Sequence, residues 1–456
     1  MAARSLEQLS SIVSRNAAVL SQKLEVRNIS SPTIQDVNAP DLSEVDSVAA
    51  TELVNAAREL QAIVQSREEQ LNLLGFSAFD SVSVGILLEF NIPSLVPLEG
   101  AISLHDLSAK TGLSEDKLSR IVRYAITNFI LREPEPGAIA HTALSAALAR
   151  DPKFATYLRL CLVDLAPVNA ALPAALRKWP TSDFVTECAV NAAFDTPEPF
   201  FAWLSRDATR QARFDQGMAG FAGTGRSSDV EIAAFPWGTA LPTEAVVVDV
   251  GGGKGHFSKA LARAFPKFKV TVQDRKEVVE AAVLREDDDG NSGGTTGSID
   301  GVRFQAHSFF EPQPLHGADV YFLRQVIHDW PDREAAGILR ALTPALKPGA
   351  RVLVSEYGVP SPSELQISSS STSTSTSASA EQQQQQQLNG HGLGILEAKH
   401  IRQMDLQMMA VLNAKERSAD EFAKLFALAD ERLKFKGAHR APGDRKVCIF
   451  EAVWEP

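Results

Sequence analysis

Apolar residues recur with a helical period over the first half of the chain and with mixed strand and helix periods over the second half. A stripe of residues three or four apart predicts an amphipathic helix over Val48–Leu74. Residues 101–148 predict two short helices, Leu104–Thr111 and Glu115–Phe129, followed by a hairpin with its tip at Pro136–Gly137. This order of elements predicts a winged-helix domain within residues 46–150.

Two regions flank the predicted winged helix. Residues 1–45 are polar and carry prolines without a regular period, which predicts a mobile N-terminal segment. Residues 151–240 have a helical pattern and many aromatic side chains. Most of these aromatics are expected in a core, and a minority could line a flat apolar substrate pocket, so we assign this stretch as a helical linking and substrate-pocket region.

From residue 241 to 456 strands and helices alternate, which predicts an α/β domain with a doubly wound, Rossmann-like sheet. The predicted strands are Val246–Val250, Lys269–Gln273, Val302–Ala306, Asp319–Leu323, Arg351–Glu356 and Val447–Trp454, with Leu433–Lys436 beside the last. The segment 286–300 is acidic and glycine-rich, and 361–394 consists of Ser/Thr repeats and a Gln run. Both are predicted to be disordered insertions in this domain.

A glycine-rich turn after the first of these strands predicts a nucleoside-type cofactor. The strand Val246–Val250 runs into Gly251, Gly252, Gly253 and Gly255. Such glycines let the backbone approach a ligand, and the free N–H groups at the start of the next helix point at it. The nicotinamide fingerprint fails, because its last glycine position is His256. Asp249 lies near the strand end, and Asp274 after the next strand can accept both ribose hydroxyls of an adenosine.

Composition limits the classes of function. The net charge of −11 argues against a broad nucleic-acid surface. Three widely spaced cysteines form neither a zinc nor a disulfide pattern. The most apolar stretch, Val82–Ile102, contains Glu89 and two prolines and is not predicted to span a membrane, and no signal peptide is recognised. We therefore expect a cytoplasmic protein without nucleic-acid or membrane partners.

Four motifs together resemble the caffeate-type, cation-independent O-methyltransferases of plants and fungi: Asp249–Gly255, His328-Asp329-Trp330, Ser355-Glu356 and Asn413–Arg417. The resemblance covers the chain from about residue 50 to its end, apart from the two insertions. It implies a class I methyltransferase domain, with S-adenosylmethionine as the methyl donor and S-adenosylhomocysteine as the product. It also implies a homodimer formed by the winged-helix domain, in which the partner chain contributes to the substrate pocket.

The resemblance further implies a catalytic role for three residues. His328 would take the proton from the acceptor hydroxyl, with Glu356 and Glu416 beside it. These residue types suit methyl transfer because a neutral phenol is a poor nucleophile. An imidazole of unperturbed pKa near 6.5 can accept its proton at neutral pH. Carboxylates on the far nitrogen fix the tautomer and stabilise the imidazolium that forms.

Other site residues follow from the same resemblance. The predicted cofactor-binding residues are Asp249, Gly251, Gly252, Gly253, Gly255, Asp274, Ser308, Phe309 and Arg324. Arg324 stands where the family carries a Lys, and Ser308 where it often carries an Asp. The predicted substrate-binding residues are Asp329, Trp330, Met404, Met408 and Asn413, although both methionines are nearly as well explained as helix core. The histidines show no metal-ligand spacing, so we predict transfer without a metal ion.

The leading hypothesis is methylation of a small aromatic hydroxyl compound, such as a polyketide or phenolic secondary metabolite. A metabolite-responsive winged-helix DNA-binding regulator is an alternative, disfavoured by the acidic charge and by the lack of a basic arm. A same-fold enzyme that binds the cofactor but catalyses decarboxylation or hydroxylation is another. The combination of His328 with Glu356 and Glu416 argues against that alternative.

Overall fold

The computed structural model describes residues 4–223, 228–284, 298–299, 301–360, 394–441, 444 and 446–456. The chain forms two compact units, one of Ala2–Ala170 with Phe201–Gly225 and one of Ala171–Phe200 with Arg226–Pro456. The region predicted over 151–240 is therefore divided between the units. The two predicted insertions lie outside the described residues, except for 298–299 and 394.

The helices are α1 (Leu6–Val26), α2 (Leu42–Val45), α3 (Ser47–Val64), α4 (Arg67–Phe76), α5 (Ala78–Glu89), α6 (Ile92–Leu95), α7 (Leu104–Thr111), α8 (Glu115–Thr127), α9 (Ala143–Arg150), α10 (Pro152–Arg159), α11 (Ala166–Lys178), α12 (Ala189–Phe194), α13 (Phe200–Ser205), α14 (Ala208–Gly223), α15 (Ser228–Ala234), α16 (Trp237–Ala240), α17 (His256–Ala264), α18 (Lys276–Leu284), α19 (Asp332–Leu342), α20 (Ile395–Leu412) and α21 (Ala419–Ala429). The strands are β1 (Ile102–Ser103), β2 (Leu131–Glu135), β3 (Ala138–His141), β4 (Val246–Val250), β5 (Lys269–Asp274), β6 (Ser298–Ile299), β7 (Val302–Ala306), β8 (Val320–Arg324), β9 (Arg351–Tyr357), β10 (Leu433–His439) and β11 (Val447–Trp454). Single turns of other helix types occur at Leu160–Asp164, Ile327–Asp329 and Thr343–Ala345.

The first unit contains the predicted winged helix. Strands β1, β3 and β2 form a three-stranded antiparallel sheet in that order, next to α7 and α8. The hydroxyl of Ser103 caps α7 by accepting the N–H of Asp106 at 3.0 Å. Leu107, Leu118 and Val122 are fully buried in a core that the two helices share with the sheet. The observed order of elements is the one that the sequence pattern predicts.

Residues 6–26 form a helix inside the segment for which the sequence predicts mobility. Ser5 begins α1 with a capping box, in which its hydroxyl accepts the Gln8 N–H and the Gln8 side chain accepts the Ser5 N–H. Leu9, Leu20 and Leu24 of α1 are buried. The predicted mobility is therefore wrong for residues 6–26. A narrow apolar stripe is enough to hold a helix against a neighbour even where most positions are polar.

The predicted helix Val48–Leu74 is two helices, α3 and α4, because the hydroxyl of Ser66 starts a new helix by accepting the Glu69 N–H at 3.1 Å. Large apolar side chains on α4 and the start of α5 are exposed: Leu71, Leu73, Leu74, Phe76, Phe79 and Val82. We call these six residues the α4–α5 apolar surface. By length and composition alone, the helical stretches Arg67–Glu89 and Pro152–Lys178 would be long and apolar enough to cross a membrane, which is weak evidence.

The second unit is built on an eight-stranded mixed sheet of order β10-β11-β9-β8-β4-β5-β7-β6 among the described residues. Strands β9, β8, β4, β5 and β7 are parallel, β11 pairs antiparallel with β9, and β10 and β6 are antiparallel edge strands. The chain moves from β4 through β5 to β7 on one side and then returns to β8 and β9 on the other. Because β4 and β8 are neighbours at this switch point, the loops that follow them open into one crevice.

Candidate active site

The glycine turn after β4 is shaped for close approach of a ligand. A Cβ atom on Gly252 would lie 2.5 Å from Oδ2 of Asp249, so a side chain cannot be accommodated there without a shift. Gly253 has a φ of +58° and open space where a Cβ atom would be. Gly251 and Gly255 begin and end the turn, with Gly255 at the N-terminus of α17. The four predicted glycines thus form one tight turn with an open side.

Asp249 is a buried carboxyl group beneath this turn. Its Oδ2 accepts the hydroxyl of Ser258 at 2.6 Å, whereas its Oδ1 has no hydrogen-bond partner among the described residues. Burial, opposed by Ser258 and by the charge of Arg324, raises the pKa of Asp249 to about 6. A cationic ligand beside this carboxylate would stabilise the charged form of Asp249. The oxygen that lacks a hydrogen-bond partner makes Asp249 a suitable neighbour for such a ligand.

Asp274 joins the end of β5 to the glycine turn. Its Oδ2 accepts the N–H of Gly253 at 2.8 Å, and its Oδ1 accepts the N–H of Arg275 at 2.7 Å. Each carboxylate oxygen can accept a further hydrogen bond, so the group remains able to bind ribose hydroxyls. The end of β7 lies alongside, since the His307 N–H donates to the Asp274 carbonyl at 2.8 Å. Ser308 follows directly, so the structure brings this predicted residue next to Asp274.

Arg324 ends β8, the neighbour of β4, and forms an ion pair with a residue that the sequence analysis missed. Its Nε donates to Oε1 of Glu231 at 2.7 Å, and Glu231 is fully buried. Glu231 comes from α15 and also accepts the hydroxyl of Ser355 at 3.3 Å. No sequence signal distinguishes Glu231 from a surface carboxylate, because its partner is 93 residues away in the chain.

His328 lies in the single turn Ile327–Asp329 directly after β8, and Glu356 of β9 holds that turn. One oxygen of Glu356, Oε1, accepts the N–H groups of Val326, Ile327 and His328 at 3.1, 3.0 and 3.3 Å. The other oxygen lies 3.4 Å from Nδ1 of His328. Glu356 therefore fixes the backbone that carries His328 as well as standing beside its ring.

The His328 ring is surrounded by carboxylates. Its Nδ1 lies 2.7 Å from Oε1 of Glu416, and its Nε2 lies 3.5 Å from Oδ1 of Asp329. The ring is buried, with 9% of the residue exposed. Burial by itself would lower the pKa of His328, but the charges of Glu356, Glu416 and Asp329 outweigh it and raise the pKa to about 10. For a carboxyl group burial has the opposite effect, and it raises the pKa of Asp329 to about 6.

The structure thus brings together the three predicted catalytic residues from three separate segments. The ligand atoms of His328, Glu356 and Glu416 lie within 4.8 Å of one another, which would also be compatible with a metal ion by geometry alone. The 2.7 Å separation of Nδ1 from Glu416 is that of a direct, charge-assisted hydrogen bond. The absence of a metal requirement stays a prediction.

The predicted substrate-binding residues are placed in different ways. Trp330 packs edge-on against Phe310, with ring centroids 4.8 Å apart, and lies 6.1 Å from Phe309. Met404 and Met408 lie one turn apart on α20 and are half-buried. Asn413 ends α20 in a left-handed conformation, and its amide donates to the carbonyls of residues 182 and 184 at 2.9 and 3.0 Å. Through these two bonds Asn413 joins the end of α20 to the segment at residues 182–184.

Arg417 is a further residue for which the sequence analysis proposed no role. Its side chain is 1% exposed, and its guanidinium donates to Asp332 and to the carbonyls of Ile327 and Trp330. In the sequence, Arg417 is the last residue of the motif Asn413–Arg417, and this is the signal that could have pointed to it. Only the structure shows what it contacts.

Comparison with known proteins decides the family. A family model described as an O-methyltransferase domain matches residues 180–389. The chain is 34% identical over 439 residues to the chlorophenol O-methyltransferase of Trichoderma longibrachiatum, an alignment that covers 95% of this chain and 86% of the relative. The protein belongs to the S-adenosylmethionine-dependent O-methyltransferases. It is thus an enzyme, and the caffeate-type subgroup stays a prediction.

Two solved structures share the fold of this O-methyltransferase. The structure of LepI in complex with S-adenosylmethionine aligns with a TM-score of 0.70 and 20% identity, covering 98% of this chain and all of that one. The mitomycin 7-O-methyltransferase MmcR aligns with a TM-score of 0.63 and 24% identity, covering 85% of this chain and 97% of that one. At these identities the likeness shows the fold alone. The O-methyltransferase uses S-adenosylmethionine as its cofactor, and the glycine turn with Asp249 and Asp274 fits that cofactor.

Proposed function

We propose that this O-methyltransferase methylates a hydroxyl group of a small aromatic compound, with His328 as the general base. The observation that supports the proposal is the buried imidazole whose Nδ1 is hydrogen-bonded to Glu416 at 2.7 Å. In the neutral imidazole this bond would hold the proton on Nδ1, which leaves Nε2 as the atom that receives a proton from the acceptor. Glu356 and Glu416 would stabilise the imidazolium ion.

The glycine turn, Asp249 and Asp274 would hold S-adenosylmethionine. When bound, the cofactor supplies an electrophilic methyl group for in-line displacement by the acceptor oxygen. The open side of Gly253 leaves room for a ligand close to the backbone, and Asp274 offers acceptors to ribose hydroxyls. The Asp249 oxygen that has no hydrogen-bond partner would place negative charge near the positively charged cofactor.

The carboxylates around His328 match this base to a weakly acidic acceptor. A pKa of about 10 for His328 is close to that of a phenol, which is also about 10. Proton transfer from an un-ionised phenol to the neutral imidazole would then be nearly balanced in free energy. A general base is most efficient when its pKa lies near the working pH, so the strong driving force has a cost: only a small fraction of the enzyme carries neutral imidazole at pH 7.

Two observations support an aromatic acceptor. Phe309, Phe310 and Trp330 form a connected aromatic group beside the turn that carries His328. Aromatic side chains suit aromatic ligands, which they contact through edge-to-face or offset-stacked packing. The relative from Trichoderma is named for chlorophenols, which are aromatic hydroxyl compounds. We extend this substrate class to the present enzyme, with a polyketide or phenolic secondary metabolite as the natural acceptor.

The test compares two chlorophenols with S-adenosylmethionine as donor. At pH 7, 4-chlorophenol is mostly un-ionised and needs a base, whereas pentachlorophenol is mostly ionised and does not. We expect His328→Ala to lower the turnover of 4-chlorophenol by about 10²–10⁴-fold, the usual contribution of a general base, and that of pentachlorophenol far less. Release of S-adenosylhomocysteine measures both reactions.

His439→Ala is the matched control. His439 also pairs with a glutamate in the same unit, with Nε2 2.8 Å from Oε2 of Glu451, and it is not among the predicted site residues. Its loss should leave both turnovers near the wild-type rate. Equal turnover of 4-chlorophenol by wild type and His328→Ala would refute His328 as the base. Failure of the wild-type enzyme to methylate any phenol in a panel would refute the substrate class.

We also propose that the enzyme forms a homodimer through its first unit. The exposed α4–α5 apolar surface supports this proposal, because contiguous apolar patches on soluble proteins usually mark interaction sites. The family resemblance implies the same association. A cytoplasmic location without nucleic-acid or membrane partners stays a prediction.

A further inference from the structure

Arg417 connects two of the segments that carry the proposed catalytic residues. Its Nη1 donates to the carbonyl of Ile327 at 3.1 Å and its Nη2 to the carbonyl of Trp330 at 2.8 Å, so the two bonds flank His328. Arg417 itself directly follows Glu416 in the chain. The guanidinium therefore spans the gap between the His328 turn and the Glu416 segment.

The charge of this buried guanidinium is paired with a carboxylate shortly after the His328 turn. Nε and Nη2 of Arg417 donate to Oδ1 of Asp332 at 2.9 and 2.8 Å, and Asp332 begins α19. Lys415 adds a second cation, 3.0 Å from Oδ2 of Asp332. Burial alone would raise the pKa of Asp332, but Lys415 and Arg417 together lower it, so the carboxylate stays ionised.

The backbone of the His328 turn is thus held from both directions. Its N–H groups at residues 326–328 donate to Glu356, and its flanking carbonyls accept from Arg417. Loops after strands are commonly mobile unless such partners hold them. The reaction rate depends on how well this backbone is held, since a misplacement of a catalytic group by about 1 Å can cost on the order of 10²-fold in rate.

We propose that Arg417 is a positioning residue for methyl transfer, which sets the separation of His328 and Glu416 by binding the carbonyls on both sides of His328. The proposal rests on the proposed function of His328 as the base. In this role Arg417 acts through the backbone that carries His328, because its guanidinium bonds to Asp332 and to backbone carbonyls. A planar guanidinium is required, because a lysine ammonium cannot bridge Asp332 and the two carbonyls with one fixed fork.

The test compares Arg417→Lys with a matched arginine elsewhere in the same unit. Arg340 also donates to two backbone carbonyls, of Leu428 and Ala429, at 3.0 and 3.1 Å, away from the His328 turn. We expect Arg417→Lys to lower kcat with 4-chlorophenol by about 10–100-fold and to change KM for S-adenosylmethionine less than about threefold. Arg340→Lys should keep the wild-type kcat after correction for folded enzyme.

Asp332→Ala provides a second variant if Arg417→Lys does not fold. It removes the carboxylate that orients the guanidinium, so kcat should again fall while KM for the donor stays near the wild-type value. Chemical rescue gives a readout that a merely structural role would not move. Methylguanidine added to folded Arg417→Ala should restore part of kcat, whereas methylamine should not.

Three outcomes would overturn the positioning role: a wild-type kcat in a folded Arg417→Lys or Asp332→Ala variant, an equal loss of kcat in Arg340→Lys, or equal rescue by methylamine. These outcomes are distinguishable from failure of the proposed function. A fully active His328→Ala variant refutes the base, whatever the Arg417 variants do. An inactive His328→Ala variant together with active Arg417 variants refutes only the positioning role.

Discussion

His328 shows how strongly neighbours can change a residue whose identity is plain from the sequence. An unperturbed imidazole has a pKa near 6.5 and is mostly neutral at pH 7. In the structure, Glu356, Glu416 and Asp329 lie within 3.5 Å of its ring nitrogens. Although burial opposes them, these charges raise the pKa of His328 to about 10. We therefore expect the imidazole of His328 to be protonated in most resting molecules at neutral pH.

This shift predicts a pH dependence for an un-ionised acceptor. Below the pKa of His328, which is raised to about 10, the neutral fraction of the imidazole grows about tenfold for each unit by which the pH rises. We therefore expect kcat/KM for 4-chlorophenol to rise from pH 7 toward pH 10, and not to level off above pH 6.5. Initial rates across this range, with circular dichroism at each pH to confirm folding, provide the measurement.

A charge variant checks the cause of that profile. Glu416→Gln removes one negative charge beside the ring, so the pKa of His328 should fall and the rising limb should move to lower pH. The same rise should be absent for pentachlorophenol between pH 7 and 9, because this acceptor is already ionised. A 4-chlorophenol profile that is flat above pH 7 in the wild-type enzyme would contradict the assigned pKa.

At the scale of the element, the glycine turn is the feature that sequence and structure describe in the same way. The spacing of the glycines predicts a strand, a tight turn and a helix, and β4, the turn and α17 are found in that order. The elements differ from prediction mainly at their ends. For example, β8 begins at Val320 rather than Asp319, and the Asp319 side chain accepts the N–H of Val246 on β4 at 2.8 Å.

Gly252→Ala should weaken cofactor binding. The new Cβ atom would lie 2.5 Å from Oδ2 of Asp249, so the turn or the buried carboxyl group must shift. Overpacking of this kind costs about 1–3 kcal/mol, so affinity for S-adenosylhomocysteine should fall by about 5–150-fold. Isothermal titration calorimetry measures the change.

Gly337→Ala is the control for that substitution. Gly337 lies within α19 and has open space around a built Cβ atom, so alanine should keep cofactor affinity and slightly favour the helix. If Gly252→Ala binds S-adenosylhomocysteine as tightly as the wild type does, the turn is not the cofactor site that we propose.

At the scale of the whole molecule, the sheet order decides which loops can cooperate. The β4 turn and the His328 loop belong to neighbouring strands, although 73 residues separate paired positions such as Val247 and Val320. Glu416 comes from a segment 88 residues beyond His328. Their association depends on how the chain crosses the sheet, which local patterns do not specify.

If the α4–α5 apolar surface forms the dimer interface, charged substitutions in it should convert the dimer to a monomer. Leu74 and Phe76 are 67% and 60% exposed, and aspartate at both positions should place charges in an interface that requires desolvation. We expect sedimentation velocity to show a dimer for the wild type and a monomer for the Leu74→Asp/Phe76→Asp variant. Leu428→Asp, at a site that is 57% exposed on α21, should remain dimeric. A monomeric wild-type enzyme would contradict the proposal.

The sequence by itself determined the kinds of element, the nucleotide-type glycine turn and the identity of His328, Glu356 and Glu416. These features depend on local periodicity, on glycine spacing and on short motifs, which are properties of neighbouring residues. Tertiary structure alone decided the raised pKa of His328, the pairing of Arg324 with buried Glu231 and the contacts of Arg417. The physical reason is that burial and Coulomb interactions act through space, between groups that the chain keeps far apart in sequence.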